Sequence, residues 1–215
     1  MADDRFRDVI RNAGLNIGAG ELAEDAGYER MSRLAAALAP VVERCGEGSA
    51  GAILDVITRI AENDRRAALM LLEECPDIVQ KLLGAGDEAI LNVFDIAGQM
   101  IPYGALLAVR FLEVSPVLLS ENTFETLTQT AALACSVAQV NVRTGISLVG
   151  ESPAIIERIG FEGLRKIAAF AATIAHSSWA HSVKVIEESP ARIDRMLALG
   201  ADRQSSLSVY NLAAV

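Results

Sequence analysis

The sequence predicts an all-α chain whose helices stack in successive, similar units. Three observations carry this expectation. Prolines recur at Pro40, Pro76, Pro116, Pro153 and Pro190, at intervals of 36, 40, 37 and 37 residues, and a fixed period in this range is the signature of stacked helical repeats. The flanks of four of them agree: Leu71-Leu72-Glu73-Glu74-Cys75-Pro76, Phe111-Leu112-Glu113-Val114-Ser115-Pro116, Leu148-Val149-Gly150-Glu151-Ser152-Pro153 and Val185-Ile186-Glu187-Glu188-Ser189-Pro190. Hydrophobic residues make up 52% of the chain but aromatics only 5%, which suits close helix–helix packing better than a sheet core. No useful stretch alternates apolar and polar residues as a half-buried strand does.

A serine before a proline reads as a helix start. The hydroxyl can accept an early backbone N–H, and proline fits the first helical position because its missing N–H has no partner there. Proline also disfavours helical geometry in the residue before it. Each Ser-Pro mark is therefore expected to be a corner, with Cys75 a weaker cap. Reading back from each proline gives the packing rule. Four residues back stand Leu72, Leu112, Val149 and Ile186; seven back, Leu69, Val109, Ile146 and Val183; eight back, the small Ala68, Ala108, Gly145 and Ser182. These positions share one helical stripe. Six back, Met70, Arg110, Ser147 and Lys184 form the variable, solvated side.

In chain order, residues 1–39 read as an N-terminal helical cap. Asp8-Val9-Ile10 belongs to a leading helix, Gly14, Gly18 and Gly20 break it, and Glu21 to Leu38 forms a second helix. The glycine run has no Gly-Lys-Ser/Thr ending and does not read as a phosphate loop. Repeats follow at 40–75, 76–115, 116–152, 153–189 and 190–215, the last incomplete. Within each, a short helix follows the proline: 77–83, 117–119, 154–159 and 191–199. Val79, Leu119, Ile156 and Ile193 point inward from it, and Gly84, Gly86, Gly160, Gly163 and Gly200 are stop signals. A longer helix comes next, over 93–100, 127–137, 164–175 and from Leu207 on, aligned at Ile96-Ala97-Gly98, Leu133-Ala134-Cys135, Phe170-Ala171-Ala172 and Leu212-Ala213-Ala214. A third begins near Glu62, Tyr103, Val140 and Ser178 and runs into the next corner. Two-helix units are the alternative if the short helix is only a turn.

The EESP, EVSP and GESP corners and the LAA and FAA cores, over about residues 35–215, resemble armadillo/HEAT-type α-solenoids. The resemblance implies a right-handed α-α superhelix with a concave face lined by the third helices. The Ser-Pro units are also similar to helical arrays in large bacterial proteins that carry a von Willebrand A-type domain; no residue of that domain's metal-binding motif is present. Pro190 opens a unit that the sequence does not complete, which predicts an N-terminal fragment of a longer protein, or an end-to-end homo-oligomer through the open last unit.

The formal net charge is −9. An acidic chain repels phosphate backbones, so nucleic acid is not an expected partner, nor is an anionic membrane surface. The N-terminus has no secretory pattern and no run reaches membrane-spanning length. Three widely spaced cysteines, Cys45, Cys75 and Cys135, fit a reducing cytoplasm better than a disulfide framework.

No cofactor motif, metal-ligand spacing or nucleophile–base pair emerges, so an enzyme is not expected. His176 and His181 lie five residues apart, a poor metal spacing on one helix. Ser177 and Ser178 lack a Gly-x-Ser-x-Gly context. Glu73, Glu113 and Glu187 recur three before a proline and would form an acidic ladder. That ladder suits either a basic partner or, locally, the positive N-terminal end of the next helix. Arg66, Arg110, Arg143 and Lys184 form the basic counterpart, and Trp179, the sole tryptophan, lies between repeats or in the groove. These eight residues are the candidate contacts of a scaffold that binds a protein or peptide along its concave face. The alternative is an accessory domain of an enzyme or ATPase-linked machine.

Overall fold

The computed structural model describes residues 33–34 and 36–200. Most of the expected cap, the helix from Leu207 and the open end of the last unit lie outside the described residues. Among the described residues all regular structure is helical and no strand occurs. The helices are α1 (Glu47–Asn63), α2 (Arg65–Leu83), α3 (Asp87–Met100), a 3-10 turn (Ile101–Tyr103), α4 (Ala105–Glu121), α5 (Phe124–Val140), α6 (Val142–Ala175) and α7 (Trp179–Ala198). Helical residues 36–42, Pro40 among them, precede α1. The chain divides into two compact units between Pro116 and Val117. In the first, α1 packs on α2 and α3; in the second, α6 packs on α5 and α7.

The prolines do not turn the chain. Pro76 lies inside α2, Pro116 inside α4, Pro153 inside α6 and Pro190 inside α7. The expected Ser-Pro corner is thus overturned, and in two of the four helices a serine hydroxyl takes the place of the missing N–H. A proline in a helix leaves the carbonyl four residues back without its N–H. Ser115 Oγ donates to Leu112 O at 2.9 Å and Ser152 Oγ to Val149 O at 2.8 Å. Those are the carbonyls that Pro116 and Pro153 orphan. In α7 the hydroxyl of Ser189 donates one carbonyl earlier, to Val185 O at 2.6 Å. The three serines and Cys75 are all fully buried, so the hydroxyl serves the helix interior rather than a cap.

The short and third helices are therefore one, and the expected short–long–long order is not seen among the described residues. Unit boundaries drawn at the prolines fall within helices. The chain turns instead at Asp64, Gly104, Asn141 and Ser178, each twelve residues before a proline. Asp64 and Asn141 are single extended residues that end one helix and cap the next. Asp64 accepts from the N–H of Arg66 and Ala67, and Asn141 from that of Thr144. Ser178 accepts from His181 N–H. A short polar side chain in extended conformation suits this double duty. On the other side of each prolyl helix, Gly84 and Gly86 flank the α2–α3 link, and Gly160 (φ 75°, ψ 174°) breaks α6 into two arms. Gly163, expected as a stop, lies buried inside the second arm.

Packing follows the eight-back and four-back positions as expected: Ala68, Ala108, Gly145 and Ser182 are buried, as are Leu72, Leu112, Val149 and Ile186. At seven back only Val109 is buried; Leu69, Ile146 and Val183 are half-buried. The residue directly before the proline takes its place on the stripe. Of the inward positions after the proline, Val79, Ile156 and Ile193 are buried and Leu119 is half-buried. Ala97, Ala134 and Ala171, the centres of the aligned long-helix triplets, are fully buried.

Candidate partner-binding site

In the second unit the α5–α6 corner at Asn141 and the α6–α7 corner at Ser178 lie one period apart in sequence. The first turns that follow them meet. Arg143, the second residue of α6, places its guanidinium carbon 4.5 Å from the ring centroid of Trp179, the first residue of α7. This is within the range of a cation–π contact, which stabilises by about 0.5–1 kcal/mol at an exposed site. The two side chains border an open recess of about 550 Å³ lined by Ala138, Gln139, Val140, Asn141, Val142, Arg143 and Trp179. Trp179 is 45% exposed, Val142 39% and Val140 37%, so the recess offers apolar surface to solvent beside a fixed cation.

The corner itself is held locally. Ser178 Oγ lies 2.8 Å from His181 Nδ1 and accepts weakly from His181 N–H at 3.5 Å. A serine–imidazole contact is the pair that nucleophilic catalysis uses. Here the serine is a helix cap and its imidazole sits on the same first turn. His176 is exposed at the end of α6. Among the described residues no group of three or more His, Cys, Asp or Glu side chains is placed to hold a metal. No helix of the described residues is long and apolar enough to cross a membrane.

The other expected contacts are dispersed. Arg110 pairs with Glu113 on the next turn of α4 at 2.6 Å, and Lys184 with Glu188 on α7 at 3.5 Å. Glu187 accepts from Ser147 Oγ at 3.4 Å, one period away. Arg66 is exposed in the first turn of α2 and Glu73 is exposed two turns further on. Because the prolines sit mid-helix, Glu73, Glu113 and Glu187 do not precede a helix N-terminus, and the local electrostatic role expected for them falls away. Of the eight residues, Arg110 and Glu113 pair with each other on α4, and Arg143 and Trp179 meet at the recess.

Sequence reasoning named both residues but not their meeting. It missed Asn141, Val140 and Val142, which complete the recess. The signal was available in the Asp64, Gly104, Asn141 and Ser178 series, whose period equals that of the prolines. No family model, curated protein or solved structure matches the chain.

Proposed function

We propose that this chain is a non-catalytic helical-repeat scaffold, its helix pairs stacked as a right-handed α-α superhelix, that binds a protein or peptide partner. The observation that carries the reading is the Arg143–Trp179 recess, because tryptophan and arginine are the residues in which binding energy concentrates at protein interfaces. The repeat architecture is supported by bonds between residues roughly one period apart within each unit. In the first, Arg44 reaches Gln80 at 2.7 Å, Gly46 N–H reaches Asp87 at 2.7 Å and Arg59 reaches the Gly98 carbonyl at 2.8 Å. In the second, Arg158 forks onto Asp194 at 2.7 and 3.0 Å. Stacked repeats build extended surfaces suited to macromolecular partners. Three free thiols support a reducing compartment such as the cytoplasm.

The test is affinity capture from a lysate of the source cells, with crosslinking to locate the contact. A partner retained by the wild-type chain and crosslinked to its helices is the expected result. No specific partner, with the chain folded, counts against the scaffold.

A further inference from the structure

We infer that the Arg143–Trp179 recess takes a short acidic and apolar segment of a partner protein. A carboxylate would sit on the Arg143 guanidinium, and a neighbouring apolar side chain on the indole, Val140 and Val142. The inference rests on the scaffold reading and names the chemistry of its ligand.

Charge complementarity argues for the carboxylate. Arg110, Arg158, Arg165 and Arg192 each hold a carboxylate of this chain within 3.0 Å. Among the described residues Arg143 has no such ion pair, as is also true of Arg65 and Arg66; what sets it apart is its contact with the face of Trp179. Stacking on an aromatic face leaves the in-plane N–H donors of a guanidinium available, and those donors match a carboxylate bidentately. The indole also restrains the arginine, so less side-chain freedom is lost when a ligand binds. Among the described residues the polar side-chain groups lining the recess besides Arg143 are the amides of Gln139 and Asn141 and the indole N–H of Trp179, and none is a carboxylate. A basic segment would meet Arg143 with like charge.

Size and composition argue for a short segment. A recess of about 550 Å³ lies within the 300–1,000 Å³ of small-ligand sites, room for a few side chains rather than a folded domain. The exposed faces of Trp179, Val140 and Val142 are apolar, so an anion alone would leave them in water. Among the described residues the recess holds one cation, which matches a single carboxylate rather than a polyanion such as nucleic acid.

The experiment is selection from a random-peptide display library on the immobilised full chain, in parallel with Arg143→Gln. Arg143 is exposed, so the variant should fold, which its helical circular dichroism and melting curve verify. Selected peptides are then titrated while the emission of Trp179 is followed; as the chain's only tryptophan it reports on this site alone. The expected result is enrichment of Asp or Glu next to apolar residues, with a saturable change in emission. Affinity should fall about tenfold or more for Arg143→Gln, and for peptides whose carboxylates are replaced by amides. Arg143→Lys should restore only part of it, since an ammonium lacks the fork.

Peptides without carboxylates, or equal binding to Arg143→Gln, would overturn the inference while leaving peptide binding by the scaffold intact. A selection that yields nothing, alongside a partner captured from lysate, would likewise overturn the inference alone; failure of both would remove the scaffold reading too. Concentration-dependent self-association abolished by Arg143→Gln would make a second copy of the chain the occupant and overturn the partner segment.

Discussion

At Gly145 the smallest residue is required by its neighbours. A Cβ there would lie 2.8 Å from Ala138 Cβ and 3.0 Å from the Ala134 carbonyl, both on α5. Those atoms belong to a packed helix and cannot turn aside. Gly145→Ala should therefore destabilise the chain by about 1–3 kcal/mol, the usual penalty of overpacking. It would be read as a lower urea midpoint at unchanged slope. Cys75 makes a second case. Burial first, and the neighbouring Cys45 second, push its thiol far above the ordinary value of 9.0. Below the unfolded thiol's pKa both states hold the proton and the contribution to stability is complete. Above it the unfolded chain releases a proton that the folded chain keeps, so stability falls as pH rises. Burial also raises the Cys45 and Cys135 thiols, which act in the same direction. Cys75→Ser should remove part of the decline between about pH 8 and pH 10, measured by urea unfolding. It should also be well tolerated, because serine occupies this slot in the other three prolyl helices.

The unit of design at the scale of the element is the serine–proline pair. Ser152→Ala would leave the buried Val149 carbonyl with neither hydroxyl nor N–H, a loss of about 1–3 kcal/mol. In a Pro153→Ala background, residue 153 regains an N–H that can bond that carbonyl, and the same substitution should cost less. The expected coupling is on the order of 1 kcal/mol, measured by a double-mutant cycle; additive effects would mean the hydroxyl does not replace the missing N–H. Gly160 fixes the other end of the prolyl segment. Its φ of 75° with ψ of 174° belongs to a region that side chains avoid, so Gly160→Ala should cost about 1–3 kcal/mol in thermal or urea unfolding. The helix content and the buried stripe were legible in the sequence, because apolar spacing is local. The course of the chain through each proline was not. Serine followed by proline is a helix-start signal, but a serine hydroxyl can equally bond back to a carbonyl of the preceding turn, as Ser115, Ser152 and Ser189 do.

Within each unit, side chains link residues roughly one period apart. Arg158 and Asp194 form such a link, and the hydrogen bond from the guanidinium is the first cause holding the Asp194 carboxyl below its ordinary value. The link is present above the unfolded carboxylate's pKa and is lost as pH falls through the lowered folded one. Asp194→Asn should abolish that acid dependence in a titration followed by nuclear magnetic resonance. The candidate site was only half legible in the sequence. Arg143 and Trp179 could each be picked out by residue type. Their contact depends on which first turns lie side by side, and that follows from the corners at Asn141 and Ser178 rather than from the prolines. Of the acidic ladder and the basic row, by contrast, Arg110, Glu113 and Lys184 found partners within one helical turn, which no single-position reasoning separates from a docking surface.

The hydroxyl that stands in for an amide proton also changes the state the chain leaves when it folds. A proline restricts its own backbone even in the unfolded chain, and where the native conformation accepts the ring this lowers the entropy lost on folding, by roughly 0.4–1 kcal/mol at each site. Mid-helix that gain is ordinarily outweighed by the broken bond. With Ser115 and Ser152 repairing the break, the residue best known for ending helices can stiffen the unfolded chain at positions where it will later be helical.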